Sequence, residues 1–192
     1  MNELYPIFVK AHELNVLIIG AGNVGAEKLH FLLKSSPNAK VTVVSRTVST
    51  PVKSLQEQYG FDVIVDHYNS DYLTERSIVI AATENRSTNE LIYTECKGRN
   101  ILVNVADNPD LCDFYLGGIV TKGNLKVAIS TNGKSPTMAK RLRQFFEETI
   151  PEDLDELLNN LNKYRKTLTG DFESKVQALN EITKQLITEN ND

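Results

Sequence analysis

The stretch Leu17-Ile18-Ile19-Gly20-Ala21-Gly22-Asn23-Val24-Gly25 decides the fold. It is a short apolar run that breaks into three glycines and then turns helical. Gly20, Gly22 and Gly25 fit the spacing G-x-G-x-x-G. In that pattern the first glycine permits a tight turn, the second lets backbone reach a pyrophosphate, and the third lets a helix pack close to a strand. The anion then rests on the helix N-terminus, where Asn23 and Val24 stand. Unpaired N–H groups and the helix dipole favour negative charge there without a basic side chain. On its own such a glycine turn is also compatible with a plain strand-to-helix connection, so its surroundings decide.

Those surroundings form a strand–helix–strand unit. Asn15 to Ile19 reads as a buried parallel strand, and Ala26 to Lys34 carries Leu29, Leu32 and Leu33 at helical spacing. Val41 to Val44 then supplies a second buried strand. The unit has the length that dinucleotide binding requires. One member of the pattern is missing. A ribose-binding Asp or Glu should close the second strand, but Ser45 and Arg46 stand there. An arginine in this place suits a 2′-phosphate, so the residues leave NAD and NADP both open.

The alternation continues with a helix over Ser54 to Tyr59, a strand over Val63 to Val65 and a fully buried strand over Ile78 to Ala82, ending at Thr83. A helix carrying Leu91, Ile92 and Cys96 leads to a fifth strand, Ile101 to Val105. Ligands of open α/β sheets bind beyond the carboxyl ends of the strands. That rule gathers Gly20 to Gly25, Ser45-Arg46, Thr83 and Asn104 to Asp107 into one mouth.

After Pro109 the pattern changes. Leu116 to Thr121 and Leu125 to Ser130 read as two antiparallel strands around Lys122-Gly123-Asn124. Such a ribbon is marginal alone, and a dimer interface is one way to support it. In Thr131-Asn132-Gly133-Lys134-Ser135-Pro136-Thr137, Ser135 is placed to cap a helix that starts at Pro136 and carries Met138, Leu142, Phe145 and Phe146. Gly133, Lys134 and the helix start also form a candidate anion site. Two amphipathic helices, Glu152 to Leu168 and Phe172 to Ile187, follow and are divided by Gly170. At the other end, Tyr5-Pro6-Ile7-Phe8-Val9 reads as an ordered lead-in, with an edge strand as one form it can take. The division expected is residues 1–113 as a Rossmann domain, 114–150 as a dimerisation and substrate-binding segment, and 151–192 as a helical hairpin.

Composition narrows the class. With 192 residues, 41% of them apolar, the chain can bury a real core. No stretch approaches the roughly 18 apolar residues of a membrane span, and no signal segment opens the chain. A cytoplasmic protein without a membrane partner is therefore expected. Cys96 and Cys112 are too far apart for a C-x-x-C site, and His12, His30 and His67 show no ligand spacing, so no metal site is expected. From Phe114 to Phe146 there is no acidic residue, but there are six basic ones: Lys122, Lys126, Lys134, Lys140, Arg141 and Arg143. The net charge of −4 thus leaves −10 for the rest. One basic segment on an acidic protein attracts an anionic partner. The chain carries no signature of a nucleic-acid-binding module, so nucleic acid is not the expected partner.

Taken together, these motifs resemble the precorrin-2 dehydrogenase family, the N-terminal module of siroheme synthases. The resemblance covers Leu4 to about Ile150. It rests on Tyr5-Pro6-Ile7-Phe8, on Gly20 to Gly25 followed by Lys28, and on Ala81-Ala82-Thr83. Val103-Asn104-Val105-Ala106-Asp107 and Ser130 to Pro136 complete it. It implies NAD as cofactor, precorrin-2 as a tetrapyrrole substrate oxidised to sirohydrochlorin, and a homodimer. In some members it also implies a ferrous ion inserted into the product. The family's important aspartate falls on Asp107, which would accept a proton as hydride leaves, and Asn104, Lys134 and Ser135 would face the substrate. Gly25 stands where many relatives have alanine, and the methyltransferase module of the trifunctional enzymes has no counterpart in these residues. A different class, a regulatory domain that senses NAD without turnover, is the competing expectation. It needs neither Asp107 nor the basic segment.

Overall fold

In the structure, a computed structural model that describes residues 2–184, the glycine stretch joins the first strand to the first helix of a five-stranded parallel sheet. The strands are β1 (Asn15–Ala21), β2 (Lys40–Val48), β3 (Asp62–Val65), β4 (Ile78–Ala81) and β5 (Leu102–Val105), in the order β3-β2-β1-β4-β5. Helices α1 (Asn23–Ser35), α2 (Thr50–Tyr59) and α3 (Arg86–Gly98) make three of the crossovers, and the connection from β3 to β4 carries a 3-10 turn, Ser70–Leu73. The order reverses between β1 and β4, the place where sheets of this kind open a crevice.

Alternation along the strands builds two cores. Val16 and Ile18 of β1, Val41 and Val43 of β2 and Ile80 of β4 pack with Leu29 and Leu33 of α1 and with Val52 and Leu55 of α2. Leu17, Ile19, Val79, Val103 and Val105 turn the other way, onto Ile92 and Cys96 of α3. Each such fully buried aliphatic side chain contributes about 1.5–3 kcal/mol. This two-sided burial is why the strands read as continuous apolar runs.

Beyond β5 a strap runs back along the sheet edge. Asp113 N–H donates to Val103 O at 2.8 Å, and its carboxylate accepts from Val103 N–H at 3.0 Å and from Lys97 Nζ at 2.5 Å. Asn104, buried in β5, donates its amide to Phe114 O at 2.8 Å. The strap occupies what would otherwise be an open edge.

The chain divides into two compact units. The first is Met1–Ile119 with Ala128–Arg143, which contains the sheet. The second is Val120–Val127 with Gln144–Asp192. Strands β6 (Gly118–Lys122) and β7 (Leu125–Ile129) form the antiparallel pair read from sequence, and α4 (Pro136–Thr149) follows. Ser135 Oγ accepts from Met138 N–H at 3.2 Å, the expected cap. Within the second unit, Asp155 at the start of α5 (Leu154–Thr167) accepts from Asn124 N–H at 2.6 Å and from its side-chain amide at 2.7 Å. Lys122 pairs with Glu152 beside it. The hairpin tip therefore belongs with the C-terminal helices through contacts 31 residues apart in sequence. The last helix, α6, spans Phe172–Thr183. Leu186 and Ile187, read as its end, lie outside the described residues.

Two expectations need correction. Tyr5 to Val9 forms no strand, and Tyr5, Ile7 and Phe8 are exposed. Pro6 has no N–H to offer a ladder, and the chain is first fastened at Ala11, whose carbonyl accepts from Lys40 N–H at 3.3 Å. The second strand does not end before Ser45. β2 runs on to Val48 through a bulge, with Ile19 opposite Val44 and Ala21 opposite Val48. Replacing Asp113 by Ala removes a charged clasp on β5 and should lower stability by about 2 kcal/mol in denaturant unfolding, with little effect on the glycine turn.

A candidate dinucleotide site at the crevice between β1 and β4

The turn after β1 is held against the turn after β4 by direct backbone contact. Gly20 has φ +107°, and a Cβ placed there would sit 2.3 Å from Ala82 O. A Cβ on Gly25 would sit 2.0 Å from Gly20 O. Both positions exclude any side chain unless the turn moves. Gly22 differs. Its backbone is extended, with φ −80° and ψ −162°, and a Cβ there would meet nothing within 4 Å.

That open side of Gly22 faces a hollow of about 740 Å³, within the size range of small-molecule sites. Gly22, Asn23 and Val24 line it from the start of α1, Ala82 and Thr83 from the end of β4, and Val105 to Asn108 from the end of β5. α1 begins with no side-chain cap and no acidic residue in its first turn. Its first N–H groups thus remain for an anion.

Asp107 also lines this hollow, in left-handed backbone with φ +61°. Aspartate tolerates that conformation better than most residues, but it still stores strain unless its surroundings hold it. They do. Ala106 N–H donates to Ala81 O at 2.9 Å, and Asn108 N–H donates to Val105 O at 3.2 Å. The Cys112 thiol lies 3.3 Å from Val105 O and 3.2 Å from Asn108 O. Burial pushes that thiol's pKa up, so it stays a donor. The Asp107 carboxylate is exposed and engages no other described side chain.

Other residues expected at the mouth lie elsewhere. Asn104 is 6% exposed, with its amide spent on Phe114 O, so it fastens the strap and does not line the hollow. Ser45 and Arg46 sit in the β2 bulge, Arg46 exposed, and neither lines the hollow. Lys134 and Ser135 belong to the loop before α4 and are not part of the lining either. Lys122, in the basic segment, is neutralised by Glu152. Sequence reading missed Asn89, which lines the hollow from α3 although 8% exposed. It also missed Arg86, which pairs with Glu90 at 2.9 Å at the same place. The only sequence signal for Asn89 is a polar residue on the inward, otherwise apolar stripe of α3. Among the described residues no group of three His, Cys, Asp or Glu side chains is placed to hold a metal ion, and no helix is long and apolar enough to cross a membrane. Burial raises the Cys96 thiol to a pKa of about 12, so it is an inert core group.

Residues 7–118 match the model of a family described as putative NAD(P)-binding. The chain belongs to that family. The family's segment contains the whole sheet and the hollow, and its cofactor class fits a glycine turn with an uncapped helix start. Residues 122–149 match a second family model, the sirohaem biosynthesis protein central segment. The siroheme synthase of Psychrobacter arcticus is 34% identical over 175 residues, covering 91% of this chain and 31% of that protein. The siroheme synthase of Pseudoalteromonas atlantica is 37% identical over 172 residues, covering 90% of this chain and 37% of that protein. The chain thus spans about a third of the length of these curated relatives. The solved structure of SirC, a precorrin-2 dehydrogenase, superposes with a TM-score of 0.72 at 22% identity, covering 96% of this chain and 94% of that one, and so shares its fold.

The two glycines give opposite predictions. Gly20→Ala forces a Cβ into Ala82 O from positive φ, and should lower stability by about 2 kcal/mol or more. Gly22→Ala should leave the unfolding midpoint unchanged, because its Cβ enters open space, yet weaken dinucleotide binding about tenfold or more by standing where the pyrophosphate approaches. Thermal unfolding and calorimetric titration with NAD check both.

Proposed function

We propose that this chain binds NAD in the hollow beside Gly22 and catalyses the dehydrogenation of precorrin-2 to sirohydrochlorin. The observation that carries the reading is the pairing, in one hollow, of a free helix start beside Gly22 with the unengaged carboxylate of Asp107. The order of the two family matches, NAD(P)-binding and then sirohaem biosynthesis, supports this substrate over others.

In this reading Gly22, Asn23 and Val24 hold the pyrophosphate through backbone N–H groups, and Thr83 holds the nicotinamide half. When bound, NAD supplies the acceptor for one hydride. Dehydrogenation removes two hydrogens, one leaving as hydride and the other as a proton. Three carboxylates line the hollow, Glu84, Glu90 and Asp107; Glu90 is paired with Arg86, and Asp107, on its fixed turn, is the base assigned to that proton. A positioned carboxylate contributes about 10²- to 10⁴-fold in such a role. Lys134 and Ser135, with Arg46, are proposed to act on the anionic groups of substrate and cofactor from outside the present lining.

A homodimer is part of the proposal. Met138, Leu142 and Phe145 lie along one side of α4 and are exposed, an apolar stripe that a second copy would cover.

Incubating the chain with precorrin-2 and NAD should produce the sirohydrochlorin spectrum together with NADH absorbance at equal amounts. NAD binding without any spectral change would instead favour a sensor domain. Asp107→Ala and Asp107→Asn should each keep NAD affinity within about twofold and lower turnover by about 10² or more. Wild-type turnover in either variant would remove Asp107 from the reaction.

A further inference from the structure

Asn89 makes three hydrogen bonds to a single residue, Thr83. Its Oδ1 accepts from Thr83 N–H at 3.3 Å and from the Thr83 hydroxyl at 2.6 Å, and its Nδ2 donates to Thr83 O at 3.0 Å. The backbone fixes which end of the amide is which. Thr83 N–H can only donate and Thr83 O can only accept, so Oδ1 must face the first and Nδ2 the second. Oδ1 carries no proton, and the short hydroxyl contact therefore has one direction: Thr83 donates. The other acceptor near that hydroxyl, Asn85 O at 3.1 Å, already takes Asn89 N–H at 3.1 Å. Asn85 N–H in turn reaches Thr83 Oγ1 at 3.3 Å. The hydroxyl has thus spent its proton and one lone pair, and one lone pair remains.

We propose that Asn89 is a positioning residue that locks the Thr83 hydroxyl as a pure acceptor toward the hollow, selecting a donor group of the nicotinamide half of the bound dinucleotide. This rests on the NAD reading above. An acceptor cannot serve the pyrophosphate, which offers only acceptors. It suits the carboxamide N–H or a ribose hydroxyl. Threonine polarity is thereby set by a buried amide six residues away, while the same three bonds tie the β4 turn to α3.

Calorimetric titration of the full chain with NAD and with adenosine diphosphoribose, which keeps the ribose but lacks the nicotinamide, tests the assignment. Thr83→Val should weaken NAD binding about three- to tenfold with only a small fall in the unfolding midpoint. If adenosine diphosphoribose is unaffected, the donor is the carboxamide; if it weakens equally, the donor is the ribose. Asn89→Leu should weaken NAD as much as Thr83→Val does, and the double variant no more than either alone. Asn89→Asp guards against a loss of fold. Its carboxylate still accepts from the Thr83 hydroxyl and N–H, so it should bind NAD more tightly than Asn89→Leu does. Thr83→Val binding NAD as the wild type does overturns the proposal, as does an Asn89→Leu chain that binds NAD as the wild type does. A wild-type chain that binds no dinucleotide overturns the NAD reading and this inference together. Dinucleotide binding without precorrin-2 turnover overturns only the choice of substrate.

Discussion

The contact on which the rest depends is that between two turns with no side chains between them. Gly20 lies against the Ala82 carbonyl and Gly25 against Gly20. Because no Cβ intervenes, α1 begins directly over the point where the strand order reverses, and its unpaired N–H groups meet the ends of β4 and β5. A site assembled this way costs little to organise when ligand arrives. Its donors belong to backbone already fixed by a sheet that is buried on both faces.

The same sheet explains the posture of Asp107. β5 is an edge strand, but its outer side is covered by the strap through Cys112, Asp113 and Phe114, so the turn between strand and strap cannot relax. The left-handed backbone of Asp107 is held by hydrogen bonds on either side of it, which leaves its carboxylate unengaged. Strain of this sort persists where surrounding structure over-determines a residue. Here it keeps a charged group facing the hollow.

Much of this was legible in the sequence because the parallel sheet writes itself as apolar runs and the glycine spacing marks the turn. The parallel sheet, the antiparallel hairpin and the Ser135 cap followed from local chemistry. What sequence could not convey is long-range. The extension of β2 through Ser45 and Arg46 depends on Ala21 pairing with Val48. The burial of Asn104 depends on Phe114 returning to meet it, and the capture of the hairpin tip depends on Asp155. Proximity to a motif in sequence therefore misplaced Asn104, which looks outward in a strand-end reading and is in fact a structural amide. Asn89 went unseen for the opposite reason: a polar residue in a helix is unremarkable until the fold shows that it is buried and bonded to Thr83.

The central claim is that a dinucleotide lies across the Gly22 turn and reaches Asp107. Backbone amide NMR during titration with NAD tests it most directly. The account predicts saturating shifts of the Gly22, Asn23 and Val24 amides together with those of Thr83 and Asp107, all with one dissociation constant. Shifts confined to other parts of the chain, with these five amides unmoved at saturation, would contradict it.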